Sequence, residues 1–293
     1  MKKESKYEEK GYNFIINTLK HFKRFFTNIV TDFTVFEEKI RFQKYKLSFG
    51  ERDDDIYIST FPKSGTTLTQ VILYCLTTDG KMNFNHIYDV SPWIRNASFL
   101  RQKPKELASP RVIKTHDKYK DFPKKTKGKI IYIHRSGMDV AVSMYNQQKN
   151  YNNSELKFDD YIKSFFKSKN WFNHSKEWLK NKNDFDIIYI KYEDLINNKR
   201  NEIERIISFL NLKCSETAIN RALKYSSFTY MKQHESKFGD QPIEKKEKVY
   251  NKFIRKGKEG EGKKQFSKEQ RKIFNDLYID KVKDLEKKIF INE

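Results

Sequence analysis

The sequence predicts an α/β fold, a single domain with a central parallel sheet flanked by helices, and three observations carry that expectation. Short β-branched and aromatic runs recur at residues 56–61, 112–113, 130–133 and 187–190. Helical patterns separate these runs, as βαβ units require. Each run ends in basic, small or hydroxyl residues, and in open parallel sheets functional groups gather outside the strand C-terminal ends.

Residues 1–50 come first and read as a helical, aromatic-rich segment. Over residues 12–49, Phe14, Ile15, Leu19, Phe22, Phe26, Ile29, Phe33 and Phe36 recur among lysines, the pattern of amphipathic helix. A basic aromatic helix of this kind can lie on a membrane surface. More commonly the stripe packs on a core, and packing on the domain formed by residues 51–293 is the expectation here.

Ile56, Tyr57, Ile58 and Phe61 follow an acidic cluster and form the first short buried strand, which Pro62 stops. Lys63, Ser64, Gly65, Thr66 and Thr67 come next. Leu68, Val71, Ile72, Cys75 and Leu76 then recur at helical spacing, so the small residues occupy a helix start. Unpaired N–H groups and the helix dipole favour a bound phosphate there. The loop is not the triphosphate cradle GxxxxGK[ST], because Thr66 stands at the lysine position and Lys63 precedes the glycine. An ordinary polar turn capped by Ser64 or Thr66 is the less favoured alternative for this segment alone.

Residues 84–99 are irregular and rich in Asn and aromatics. Val112 and Ile113 mark a second strand, in PRVIKTH, ending at Lys114 and His116. The third strand, IIYI at residues 130–133, leads to Arg135 and to Val140, Ala141 and Met144 at the start of a helix that also carries Ser143. The fourth, residues 187–190, ends at Tyr192. Helical patterns occupy residues 158–180, 200–210, 215–224 and 267–290. Residues 232–264 are highly charged, with Gly239, Gly257, Gly260 and Gly262, and read as a long mobile loop of the kind that forms lids.

Composition narrows the class. The apolar fraction is only 37%, yet aromatics reach 15%, so Phe and Tyr must supply much of the core volume. The chain carries 60 basic against 39 acidic residues, a formal net charge of +21 that attracts polyanions. Lysine is spread along the chain, which describes a solvated surface with local anion sites better than one polyanion tract. Cys75 and Cys214 are too few for a disulfide scaffold and are expected to be reduced thiols. The first residues lack a signal-peptide core, and no stretch approaches the ~18 apolar residues of a spanning helix, so a soluble cytoplasmic protein is expected.

The strand ends bring many anion ligands together with one histidine. Arg135 offers a planar fork suited to phosphate; a salt bridge with Asp139 would be its structural alternative. His116 follows a buried strand two positions after Lys114, which makes it a candidate general base as well as a candidate hydrogen-bonded structural residue. His86, His134, His174 and His234 form no metal-ligand spacing with it or with the cysteines, and no metal is expected.

FPKSGTT after a strand, KTH at the next, HRSGMDVAVS, YEDL, SSFTYMK and FIRKG occur in that order. In residues and spacing this series resembles the cytosolic sulfotransferases. The resemblance covers roughly residues 56–274, and six ordered blocks are far more specific than one P-loop match. It implies a P-loop-containing α/β domain using 3′-phosphoadenosine 5′-phosphosulfate (PAPS) as sulfuryl donor and releasing adenosine 3′,5′-bisphosphate (PAP). By that match Lys63, Ser64, Gly65, Thr66 and Thr67 hold the 5′-phosphate. Arg135, Ser143, Arg255, Lys256 and Gly257 hold the 3′-phosphate. Tyr192, Ser226, Phe228 and Met231 surround the adenine. His116 is the catalytic base, Lys63 steadies the leaving oxygen and Lys114 the sulfuryl oxygens. A small-molecule acceptor with a hydroxyl or amine is implied, and no nucleic acid.

Three departures stand out. Leu68 replaces the family's tryptophan after the paired threonines, removing one aromatic face from the adenine site. Gly262 stands at the tryptophan of the GxW step after RKG, which bears on lid packing. The vertebrate dimer motif KxxxTVxxxE would fall on Lys263, Ser267, Lys268 and Lys272 and is not kept, so its mode of dimerisation is not expected. Two other readings stay open on the sequence. A P-loop phosphotransferase needs the missing GK lysine and an acidic magnesium site. A nucleic-acid-binding protein would use the positive charge with Phe and Tyr for stacking, but no recognition motif accompanies them.

Overall fold

In the computed structural model the chain is described over residues 2–123, 126–151, 154–181, 183–239 and 253–290, and it divides into two compact units. The smaller comprises Met1–Gly50 with Arg95–Pro104. Its helix α1 (Lys2–Phe49) begins ten residues before the sequence pattern suggested. It ends where Gly50 turns into the left-handed region and its N–H returns to the Lys46 carbonyl at 3.0 Å. Phe42 and Tyr45 are buried, and the Arg95 guanidinium lies 4.2 Å over the Phe42 ring. Phe22, Phe26, Phe33 and Phe36 are exposed.

The larger unit, Glu51–Ile94 with Lys105–Glu293, is the α/β domain. Its elements begin with β1 (Ile56–Thr60) and α2 (Thr66–Thr77). The short α3 (Ile94–Phe99) leads out of it, and β2 (Val112–Thr115), β3 (Lys129–His134) and α4 (Gly137–Tyr151) follow. Next come α5 (Phe158–Ser168), α6 (Asn170–Lys180), β4 (Ile187–Lys191), α7 (Tyr192–Asn197), α8 (Lys199–Leu210), α9 (Glu216–Tyr225) and α10 (Phe228–Gln233). Last are α11 (Glu261–Gln265), α12 (Lys268–Lys281) and α13 (Lys283–Phe290).

All strand pairs are parallel and the sheet order is β2-β1-β3-β4, with Ile56 opposite both Val112 and Lys129 and Ile130 opposite Ile187. The connection leaving β1 runs towards β2, whereas that leaving β3 runs towards β4. The crevice between the C-terminal ends of β1 and β3 is therefore the switch point, where open parallel sheets bind ligands.

Strand alternation divides the core. Ile131 and Ile133 join Ile72, Leu73, Ile203 and Ile206 on one face, all fully buried. Tyr132 points the other way onto Trp178, ring centroids 5.5 Å apart, with Trp171 and Phe172 buried beside them. Aromatic side chains thus supply the volume that the low aliphatic content leaves unfilled. Cys75 lies in the first cluster, where burial pushes its thiol up to about 12, and both cysteines are free.

Three expectations about elements need correction. Residues 158–180 form two helices, because Lys169 adopts φ 52° and turns the chain so that Trp171, Phe172 and Trp178 reach the core. Residues 267–290 likewise break at Val282, itself buried, between α12 and α13. Within residues 84–99 a 3-10 turn, Ile87–Asp89, is closed by a reciprocal cap between His86 and Asp89, and α3 follows. Tyr192 directly follows β4, where α7 begins. Of the loop expected at residues 232–264, residues 240–252 lie outside the described residues; the remainder includes a 3-10 turn, Glu235–Lys237, and part of α11.

Asp55 and Arg111 brace the N-terminal edge of β1 and β2. Arg111 Nε and Nη2 donate to the two Asp55 carboxylate oxygens at 2.7 Å each, and the side chains are 2% and 0% exposed. Removing one partner strands a buried charge. Arg111→Ala is expected to cost about 3–5 kcal/mol of unfolding free energy, measurable as a lowered urea midpoint at unchanged slope.

Candidate functional site

A cavity of about 450 Å³ opens at the C-terminal ends of the strands. The loop after β1 forms its floor. Lys63 adopts φ 68° and Gly65 φ 98°, and Gly65 serves as N-cap of α2, so the chain turns into the helix within two residues. A Cβ on Gly65 would lie 2.6 Å from the Tyr192 ring, so glycine is needed both for the backbone and for the close approach of α7. Lys63, Gly65, Thr66, Thr67 and Leu68 line the cavity, whereas Ser64 is buried and does not line it. The Lys63 ammonium rests 4.2 Å over the Phe253 ring.

From β2 come Lys114 and His116. Lys114 is 4% exposed; its ammonium donates to the Tyr88 hydroxyl at 2.7 Å and lies 4.6 Å over the Trp93 ring. His116 Nδ1 lies 2.9 Å from the Thr60 carbonyl oxygen and 3.0 Å from its hydroxyl. A carbonyl only accepts, so Nδ1 carries the proton and Nε2 keeps its lone pair. Trp93 meets the imidazole edge-on at 5.1 Å. Burial, with the positive charge of Lys114 beside it, pushes the His116 pKa well below the ordinary histidine value, and the Thr60 carbonyl offsets only part of that. The ring is neutral at physiological pH.

Arg135, at the end of β3, crosses the switch point. Its Nη1 donates to the Lys63 carbonyl at 2.7 Å, its guanidinium stacks 4.2 Å over Tyr192, and Nε is buried without a protein partner. Asp139 is not its salt-bridge partner, because that carboxylate accepts the backbone N–H groups of Gly260 and Gly262 at 2.7 Å each. The same contact settles the Gly262 departure: a Cβ there would lie 2.3 Å from Met138 Cβ, so α11 seats its backbone directly on α4.

Ser143 lines the cavity from α4, and Ser226, Phe228 and Met231 from the region of α10. Arg255, Lys256 and Gly257 enter from the segment before α11, with Gly257 at φ 60° against the face of Phe228. The structure therefore brings together every residue singled out in the sequence except Ser64. It also adds residues that sequence reasoning missed. Gln147 sits one helical turn after Ser143, a spacing that would have revealed it. Trp93 was hidden in an irregular aromatic stretch. Lys199, whose ammonium donates to the Ser226 carbonyl at 2.6 Å and whose burial lowers its pKa, was one lysine among many. Glu261 is the single carboxylate among the described lining residues.

Chemically, the cavity gathers Lys63, Arg135, Arg255 and Lys256 with a neutral imidazole and a caged ammonium, a lining suited to anionic ligands. Among the described residues, no group of three or more His, Cys, Asp or Glu side chains could hold a metal, and no helix is long and apolar enough to cross a membrane.

Comparisons with known proteins point to one family. A family model described as the sulfotransferase domain matches residues 53–286. The mouse protein named sulfotransferase 1 family member D1 is 33% identical over 258 residues, covering 81% of this chain and 86% of that protein. Mouse sulfotransferase 1E1 is 31% identical over 265 residues, covering 83% and 90%. A crystal structure of mouse sulfotransferase SULT7A1 complexed with PAP superposes with a TM-score of 0.63 at 26% identity, covering 80% of this chain and 85% of that one.

Proposed function

The chain belongs to the sulfotransferase-domain family and is a PAPS-dependent sulfotransferase, and from that premise we propose that it sulfates a hydroxyl or amine of a small-molecule acceptor, with His116 as the base. Family membership sets aside the phosphotransferase and nucleic-acid readings. One observation carries the mechanistic part: a neutral imidazole held through Nδ1 by Thr60 in the same cavity as Lys63 and Lys114.

The residues fit the donor. Arg135 keeps a buried, unpartnered Nε, and Gly65 and Gly257 stand where a side chain would collide with Tyr192 and Phe228. The 5′-phosphate is assigned to Lys63, Ser64, Gly65, Thr66 and Thr67. Arg135, Ser143, Arg255, Lys256 and Gly257 receive the 3′-phosphate. Tyr192, Ser226, Phe228 and Met231 frame the adenine, and Leu68 supplies an aliphatic wall where the family has an indole. When bound, PAPS supplies a sulfuryl group already activated by its phosphate leaving group.

His116 Nε2 takes the proton as the acceptor oxygen or nitrogen forms its bond to sulfur and the bridging S–O bond breaks. The electron pair of the broken bond stays on the phosphate oxygen, which Lys63 is assigned to steady. Lys114, fixed by Tyr88 and Trp93, balances charge on the sulfuryl oxygens. Its cage prevents the ammonium from relaxing away, so little reorganisation is needed during transfer.

A screen of the purified chain with sulfur-labelled PAPS against pooled phenols, alcohols and amines is expected to give labelled product in at least one pool. Donor binding with no transfer to any hydroxyl or amine would count against the acceptor chemistry proposed here.

A further inference from the structure

Glu261 sits where the mechanism has no use for a negative charge. Its side chain is 16% exposed, and its carboxylate pairs with both Arg255 and Lys256, Arg255 Nη1 donating to Oε1 at 3.1 Å. Burial pushes its pKa up, but the bonds from Arg255 and Lys256 outweigh it and hold the carboxyl below the ordinary range, so Glu261 is ionised at neutral pH.

The placement is built in. Asp139, buried at the start of α4, accepts the N–H groups of Gly260 and Gly262 at 2.7 Å each and so grips the backbone on both sides of Glu261. Gly260 reaches φ 82° as the N-cap of α11, and Gly262 lies flush on Met138. The same α4 carries Ser143, and Arg135 lies two residues before it. The carboxylate is therefore fixed relative to the whole 3′-phosphate site.

We propose that Glu261 is an internal counter-anion of the 3′-phosphate site, competing with the nucleotide's 3′-phosphate for Arg255 and Lys256 and thereby setting the affinity for 3′-phosphorylated nucleotides. The inference rests on the assignment of Arg255 and Lys256 to that phosphate. An incoming phosphate must share those cations with a like charge already paired to them, and such sharing is unfavourable in a partly desolvated site. The nucleotide without a 3′-phosphate meets no such competitor. Glu261 thus restrains PAP binding and favours release of the product after transfer.

The test titrates PAP and adenosine 5′-phosphate against the full chain and its Glu261→Gln and Glu261→Ala variants by calorimetry, with PAP dissociation followed by stopped flow. Both variants are expected to bind PAP roughly tenfold tighter, from loss of one like charge, to release it correspondingly more slowly, and to bind adenosine 5′-phosphate as the parent does. Unchanged or weaker PAP binding in both variants would overturn the proposal, showing Glu261 to be a clamp that orders Arg255. Equal tightening for both nucleotides would overturn it as well. If the parent binds PAP no better than adenosine 5′-phosphate, the 3′-phosphate assignment itself falls and this inference with it.

Discussion

His116→Ala is expected to lower sulfuryl transfer by about 10²–10⁴-fold, the usual contribution of a positioned base, while PAP affinity stays within about twofold. The split follows from geometry. His116 is held by Thr60 at the end of β1, whereas the phosphates are assigned to the loop after β1, to Arg135 with α4 and to residues 255–257. Truncation removes the proton acceptor without touching those contacts. His116→Asn separates the roles further, since its side-chain N–H can still donate to the Thr60 carbonyl but offers no basic nitrogen; it should be as slow as the alanine variant. Turnover of either variant near the parental rate would remove His116 from the mechanism.

The pH profile gives an independent reading of the same residue. A base works in its unprotonated form, and the His116 pKa is lowered by burial and by Lys114. The acid limb of kcat/KM should therefore fall below the ordinary histidine pKa of about 6.5. Lys114→Met removes a neighbouring positive charge, so the limb should move upward in pH. A limb at or above the ordinary value in the parent would contradict a desolvated neutral base.

Lys63→Ala is expected to lower kcat by about 10²–10³-fold, comparable to deleting one preorganised donor at a developing oxyanion, and to weaken PAP binding by roughly tenfold, the size of one charge-assisted contact. Both parameters should move, because Lys63 is assigned to the phosphate in the ground state and to the leaving oxygen in the transition state. The substitution keeps a Cβ at φ 68°, so the backbone cost at this position is unchanged. The ammonium also rests on Phe253, and Lys63→Met retains that packing while deleting the charge. Equal losses in Lys63→Met and Lys63→Ala would assign the effect to charge. A methionine variant as active as the parent would assign it to packing.

Much of this site was legible in the sequence because parallel strands convert chain order into spatial order. Each buried run ends at the same edge of the sheet, so Lys63, Lys114, His116 and Arg135, distant in sequence, had to converge once the strands were recognised. Periodicity located the helices but not their breaks. Nothing in the spacing of residues 158–180 marks Lys169, since the turn there is driven by the demand to bury Trp171 and Trp178, a tertiary requirement. Tyr192 stands at the end of the fourth strand as expected, but its packing on Gly65 and against Arg135 could not be read from its position. Lys199 and Glu261 carried no local signal, because their roles depend on which carbonyl or cation the fold brings alongside.

By itself the sequence determined the parallel α/β architecture, the phosphate loop at a helix start and the set of cations and one histidine at the strand ends. These follow from short-range rules of burial, helix capping and alternation. Only the tertiary structure decided the state of each group. It fixed the His116 tautomer through Thr60, freed Arg135 from Asp139 by tying Asp139 to Gly260 and Gly262, and set Glu261 against Arg255 and Lys256. The physical reason is that charge state and hydrogen-bond direction depend on neighbours at about 3 Å, and Thr60 and Asp139 meet theirs across 56 and 121 residues of chain, while Glu261 meets Arg255 only because α11 folds back onto α4.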